Sequence, residues 1–531
     1  MDMFVKASLL LLFFAVMVVI GFVCRRHAKD VDGFVLGGRS VGPWLTAFAY
    51  GTSYFSAVVF VGYAGQFGWK YGISATWVGI GNALIGSLLA WAVLGRRTRI
   101  MTQHLDSATM PDFFAKRFGS PALKIMAAAI IFIFLIPYTA SLYNGLSRLF
   151  GMAFSIDYAW CVVLMSVLTA IYVIAGGYMA TAINDFIQGI IMLVGLVAVI
   201  WAVLATKGGL IVALDNLARI EGPSMIPGGS PTPGIFTSFL GPEPLNLLFV
   251  VILTSLGTWG LPQMVQKFYA IKNEGSIKKG TLISTLFAFV VAGGCYFLGG
   301  FGRLFAAHLD VTEKGIPADG FDAIVPKMLE AGHLSVGLMA LVVILVLSAS
   351  MSTLSSLVIT SSSTLTIDFV NGTIVKDMPQ KAQVRCIRAL IVVFIAISAA
   401  LAIVQVKHGL AFIAQMMGVS WGAMAGSFLA PFLYALYSRR VTTASCWACF
   451  VFAVALTTAN VFGWKPVLWP GTAMTPIHSG AIAMLAGLAI VPLVSLFTPK
   501  PRRELVEGSF ACYEKTTLVR QSTALGAETI R

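Results

Sequence analysis

The chain of 531 residues is 58% hydrophobic and 11% charged, and its 36 Lys and Arg outnumber 22 Asp and Glu to give a formal net charge of +14. Charged residues make up about 25% of an ordinary globular domain, so this composition excludes a soluble globular enzyme and indicates a polytopic membrane protein. Seven cysteines without a pair in an outer loop, and six histidines without ligand spacing, give neither a disulfide framework nor a metal-enzyme constellation.

Stretches long and apolar enough to cross a bilayer, roughly 20 residues each, run at 3–24, 43–64, 71–94, 123–151, 157–175, 179–205, 244–264, 280–302, 335–365, 384–406, 409–437, 442–462 and 478–497. They predict an all-α membrane protein of thirteen transmembrane helices. The first is read as a retained helix rather than a signal peptide: Lys6 is its only early cation, and no small-residue cleavage site precedes Arg25 and Arg26. With the N-terminus outside and the C-terminus cytoplasmic, the inner loops and tail hold 26 of the 36 cations, Lys267, Lys272, Lys278 and Lys279 among them. Cytoplasmic loops carry such an excess of Lys and Arg, so the net charge follows from topology and no nucleic-acid partner is expected.

In chain order, the first irregularity is in the second span, where Gly51, Thr52, Ser53 and Ser56 put a glycine and three small hydroxyls mid-helix. Asp185 stands near the start of the sixth span. A carboxylate there is costly unless it is paired or faces an ion path, and Asp185 reads either as an ion ligand or, with Thr181 and Asn184, as a helix cap at the interface. The seventh span contains Gly257-Thr258-Trp259-Gly260-Leu261-Pro262, in which the proline removes a donor and two glycines lower helix propensity. Gly and Pro in membrane helices also serve close packing. Two breaks five spans apart nevertheless fit a transporter whose discontinuous helices hold corresponding positions in two halves.

The ninth span carries Ala349-Ser350-Met351-Ser352-Thr353-Leu354-Ser355-Ser356, with five hydroxyls in seven residues. Spacings of three and four put Ala349, Ser352 and Thr353 on one face. Hydroxyls in lipid often only cement helix packing, but this density points to a site for a small hard cation, which wants several oxygens at short range. The segments between spans are 206–243, with a Pro- and Gly-rich stretch from Pro223 to Pro233, and 303–334. With the tail from 498, they are too short for a folded catalytic or signalling domain. Cys446-x-x-Cys449 lacks a second pair and neighbouring histidines and reads as packing.

Leu36-Gly37-Gly38-Arg39-Ser40-Val41-Gly42-Pro43 leads into the second span, and Met110-Pro111-Asp112-Phe113-Phe114 precedes the fourth. Gly176-Gly177-Tyr178 with Asp185 and Gln188, then Ser348-Ala349 with Met351-Ser352-Thr353-Leu354, complete a series that resembles the sodium:solute symporters, the sodium/proline branch in particular, over nearly the whole chain. The resemblance implies a leucine-transporter-like core of two inverted five-helix repeats, here 43–205 (spans two to six) and 244–437 (spans seven to eleven). The remainder divides into 1–42 with the first helix and a cytoplasmic loop, an extracytoplasmic loop 206–243, spans twelve and thirteen in 438–497, and a cytoplasmic tail 498–531.

The same resemblance implies a principal sodium site built from the backbone carbonyls of Thr52, Phe55 and Ala349 and the hydroxyls of Ser352 and Thr353. A second sodium site of some members would use Asp185, Ser352, Ser355 and Ser356, all present here, and predicts a Hill coefficient of about two for sodium. Departures fall where solute should bind. Tyr54 and Phe55 stand where the proline branch has an aspartate and a less bulky apolar residue, and Thr254 and Thr258 where it has two aromatics, while Tyr138 matches that branch's pocket tyrosine. A sugar pocket needs amides and carboxylates for its many hydroxyls, which Tyr54, Ser56, Tyr138, Thr258 and Trp259 do not supply. Trp259 and Tyr138 read equally well as core aromatics.

The expected function is sodium-coupled import of a small organic solute, an amino acid such as proline or a small carboxylate, by alternating access in a bacterial cytoplasmic (inner) membrane. Na+ is the coupling ion, no cofactor is needed and no enzyme activity is expected. Proton coupling through Asp185 is the alternative within the transporter class. A passive channel needs a continuous polar lining, whereas these hydroxyls cluster at one depth, and a sodium-responsive sensor needs a signalling domain larger than the tail.

Overall fold

Backbone groups in hydrocarbon find no water, so a chain this apolar satisfies them within helices, and the computed structural model is helical almost throughout. It describes residues 2–154, 157–222, 231–312, 315–332, 334–408, 413–514, 520–522 and 528–530. Residues 223–230 of the Pro- and Gly-rich stretch, His333, Lys515 and Arg531 lie outside these residues.

Helix α1 (Asp2–Cys24) is followed by a short α2 (Val31–Leu36) capped by the Asp30 side chain. α3 (Pro43–Tyr54) opens on proline, which suits a first helical position, and stops after 12 residues, too few to cross a bilayer. Phe55 is extended (φ −98°, ψ 113°), and the chain resumes through a wide π turn at Val58–Tyr63 into α4 (Ala64–Tyr71). α5 (Thr76–Gly81) and α6 (Arg96–His104) are joined by two further π segments into one apolar run. α7 (Met110–Phe118), capped by Thr109, leads to α8 (Pro121–Phe154) and α9 (Tyr158–Ala205). After α10 (Leu210–Ala218) comes α11 (Pro244–Gly260); Leu261 is extended (φ −80°, ψ 122°), and Pro262 opens α12 (Pro262–Ala270), bent 45° from α11.

α13 (Glu274–Gly299), α14 (Ile324–Ala331), α15 (Val336–Thr364), α16 (Gln380–His408) and α17 (Ile413–Tyr437) follow. A hairpin of β1 (Val467–Trp469) and β2 (Thr472–Ala473), with Val467 opposite Ala473, joins α18 (Thr443–Val461) to α19 (Pro476–Phe497). The tail adds α20 (Arg503–Phe510) and an antiparallel pair, β3 (Arg520–Ser522) and β4 (Glu528–Ile530), with Gln521 opposite Thr529. Segments 206–243 and 303–334, expected as loops, thus contain α10 and α14.

Among the described residues ten helices are long and apolar enough to cross a membrane, eleven when α11 and α12 count as one bent span. The protein is an integral membrane protein. The difference from thirteen predicted spans arises at the breaks. α3 is too short to count alone, and α9 joins the predicted fifth and sixth spans into 48 residues, about 72 Å at 1.5 Å per residue and more than twice a bilayer core. α9 leaves helical geometry at Gly177 (φ 55°, ψ −149°), a conformation that only glycine adopts readily.

α15 sits at the centre, against α3, α8, α9 and α16, and is buried continuously from Val342 to Thr364 except at Ile344. α4 and α13 approach with nothing but backbone between them: a Cβ on Gly299 would lie 2.0 Å from the Ala64 carbonyl oxygen, and one on Gly68 at 2.0 Å from Gly299. At one end of the bundle the basic loops are laced together by arginines that satisfy free carbonyls. Arg39 donates to Ser107, Arg99 to Ile271, Arg117 to Ala435 and Ser438 beyond the end of α17, and Arg440 to Thr498.

A side chain at Gly177 would meet the Phe34 carbonyl oxygen at 2.8 Å as well as the backbone penalty. Gly177→Ala is expected to cost about 1–3 kcal/mol, read as a lower melting temperature of the detergent-purified protein, whereas Gly463→Ala, with open space around it, is the control for positive φ alone.

Candidate cation and solute site

The last turn of any helix leaves carbonyls without amide partners, and α3 ends inside the protein. Its Thr52 carbonyl accepts from α15 instead: the Ser352 hydroxyl lies 3.0 Å away and the Thr353 hydroxyl 3.2 Å. Both hydroxyls also lie 3.1 Å from the carbonyl of Ala349, one turn back on their own helix. Two carbonyl and two hydroxyl oxygens therefore form a closed ring with edges of 3.0–3.2 Å. Four uncharged oxygens converging at such short range are the kind of donor set that a small hard cation takes. The hydroxyls have two protons for four such contacts, and a cation at the centre removes that shortage by letting both turn their protons away. The Thr52 hydroxyl is bound to Phe48 within α3, so only its carbonyl faces the ring. Phe55 supplies the break itself, and its extended backbone turns its carbonyl out of the helical direction.

Beside the ring the structure assembles Asp185 with Ser356. Asp185 is fully buried in α9, eight residues beyond the Gly177 break, and neither carboxylate oxygen has a hydrogen-bond donor. It is thus no helix cap. Its neighbour is Lys267 of α12, counted above among cytoplasmic-loop cations. That assignment is corrected here: Lys267 is 2% exposed, with its ammonium 4.0 Å from Asp185 Oδ2 and 3.0 Å from Ser356 Oγ. Ser356 is also 2.7 Å from Ser53 Oγ, and the ammonium lies 5.0 Å from the Tyr178 ring centroid. Ser355 donates to the Ser352 carbonyl at 2.9 Å.

The solute candidates divide into two groups. Tyr54 stacks on Trp421 of α17 at 5.9 Å and donates to the Thr254 carbonyl, and Tyr138 of α8 meets the same indole edge-on at 5.9 Å. The Tyr138 hydroxyl and the Trp421 indole nitrogen are buried and meet one another outside good hydrogen-bonding geometry, which leaves capacity that a small polar solute fills. Thr258 and Trp259 instead face the run between α5 and α6, donating to the carbonyls of Gly86 and Ile85. Thr254 bonds back to Val250 and Ser56 accepts from the Val58 amide, so both hydroxyls serve their own chain. Sequence reasoning missed Trp421, whose surroundings carry no signal, and Lys267, for which the need of Asp185 for a counter-charge was the available clue.

Two broken helices meeting a hydroxyl-rich third helix inside a membrane bundle define a transporter rather than an enzyme. The sequence matches the sodium:solute symporter family over residues 34–451, and the chain belongs to that family. It is 27% identical over 497 residues to the osmoregulated proline transporter OpuE of Bacillus subtilis, covering 93% of this chain and 94% of that one. It is 30% identical over 451 residues to a sodium/proline symporter of Staphylococcus aureus, covering 81% of each. Among solved structures, a substrate-bound outward-open Na+-coupled sialic acid symporter superposes with a TM-score of 0.74 at 16% identity, over 94% of this chain and 99% of that one. MhsT in complex with L-phenylalanine gives 0.53 at 13% identity, over 85% and 98%. These two establish a shared leucine-transporter-like fold.

Removing one partner of a buried ion pair strands the other charge, at a cost of about 3–5 kcal/mol. Lys267→Met in sodium-free buffer is therefore expected to lower the melting temperature markedly, and Asp185→Asn/Lys267→Met, which buries no charge, to recover most of the loss. Equal melting of all three proteins would show that the pair is not charged in the fold.

Proposed function

We propose that the protein imports a small organic solute, an amino acid such as proline or a small carboxylate, by symport with sodium. The observation that carries this reading is the ring of the Thr52 and Ala349 carbonyls with the Ser352 and Thr353 hydroxyls, which ties the interrupted end of α3 to α15. Sodium at its centre fixes the broken end of α3, and with it Tyr54, the next-but-one residue, against Trp421 and Tyr138. Sodium and solute are thereby coupled through one helix end, and the coupling is reciprocal: solute tightens sodium by the factor by which sodium tightens solute.

The names of the bacterial relatives support proline as the first solute to try. The departures at Tyr54, Thr254 and Thr258 are the reason to test short carboxylates beside it. On this reading the chain crosses the membrane thirteen times, α9 twice, as two inverted five-helix repeats with flanking helices. The end laced by arginines faces the cytoplasm, in keeping with the excess of Lys and Arg in cytoplasmic loops. At about −100 mV one charge moving inward gains about 2.3 kcal/mol, and a tenfold sodium gradient adds about 1.4 kcal/mol. Together they support several-hundredfold accumulation per sodium under tight coupling.

Reconstituted into liposomes, the protein is expected to accumulate labelled proline or a short monocarboxylate on an inward sodium gradient and not on a potassium gradient. Ser352→Ala is expected to abolish that accumulation. Uptake driven by a pH gradient without sodium would instead establish proton coupling through Asp185. A third expectation concerns the solute: a Cβ on Gly257 would sit 2.5 Å from the Trp421 ring. Gly257→Ala should raise the KM for solute about tenfold, about 1.4 kcal/mol, and leave the sodium affinity measured without solute unchanged.

A further inference from the structure

The buried ammonium beside Asp185 lies where the family resemblance sets a second sodium. Of the four side chains expected to ligate that ion, two are engaged otherwise. Ser352 belongs to the first ring, and Ser356 is held between Ser53 Oγ at 2.7 Å and Lys267 Nζ at 3.0 Å. Only the Asp185 carboxylate faces the ammonium without another donor. A buried carboxylate requires one compensating positive charge, and the buried lysine supplies it from inside the chain. Sodium added to this pair would leave a net positive charge in a region where neither Lys267 nor Asp185 is exposed to water.

We propose that the Lys267 ammonium is a built-in cation that replaces a second sodium ion at Asp185, so that one Na+ accompanies each solute. This deepens the symporter reading and rests on it. Lys267 lies in α12, five residues beyond the break at Pro262, while Asp185 and Ser356 lie in α9 and α15. A diffusible ion at this point would link those helices only while bound. A tethered ammonium links them throughout the cycle and is not consumed from the gradient. The Hill coefficient of about two expected from the resemblance thus becomes one.

The test counts radioactive sodium ions bound per chain by the purified full-length protein at saturation. Wild type is expected to bind one, Ser352→Ala none, and Lys267→Met two, the additional ion disappearing again in Asp185→Asn/Lys267→Met. Two ions on the wild type, or one on folded Lys267→Met, would overturn the proposal while leaving sodium symport intact; none on the wild type removes the symporter reading and the proposal with it. If Lys267→Met does not fold, the sodium-to-solute flux ratio of wild-type liposomes decides: one supports the built-in cation and two refutes it.

Discussion

The Thr52 carbonyl is the constraint on which the rest of the structure depends. An interrupted helix in a membrane exposes carbonyl oxygens where no water can reach them, and each must find a partner in protein or ion. α15 meets this need with two hydroxyls that are themselves held by a carbonyl of their own helix. The break in α3 is therefore stable only against α15. A continuous α3 would need no such partner and would offer an ion nothing.

The second break is resolved differently. α12 is secured to its surroundings by side chains. Gln266 donates to the Val35 carbonyl at 3.0 Å and accepts from the Thr360 hydroxyl at 2.9 Å, and Lys267 reaches Ser356. Both broken helices therefore terminate on α15 within two turns of one another, at Ser352 and Thr353 for the first and at Ser356 and Thr360 for the second. Hydroxyls recur along this helix because each meets a polar group delivered by a neighbour.

Much of this was legible in the sequence because membrane helices leave few choices. Long apolar runs give the helices, and the break signals at Gly51 to Ser56 and at Gly257 to Pro262 fall within a few residues of the extended positions Phe55 and Leu261. The density of hydroxyls from Ser350 to Ser356 falls on the ring that Ser352 and Thr353 form with the Thr52 and Ala349 carbonyls. What stayed hidden depends on tertiary contact. Lys267 is near enough to a basic loop to be counted with it, and only packing shows that its helix continues inward. Trp421 is one aromatic among many until Tyr54 is seen stacked on it and Tyr138 edge-on to it. The boundary between the predicted fifth and sixth spans coincides with the break at Gly177, where the chain leaves helical geometry without a loop to announce it.

The backbone contact between α4 and α13 bears on how such a molecule moves. With glycine at Gly68 and Gly299, the two helices meet at a distance that admits no Cβ on either side. Phe67 and Trp69 flank Gly68, and Leu298 and Gly300 flank Gly299, so the close approach rests on the glycines alone. The segment beyond the first break is seated directly on α13, and because α13 also packs along α3 before the break, any tilt of α4 about Phe55 has to be accommodated by a helix that lies on both sides of it.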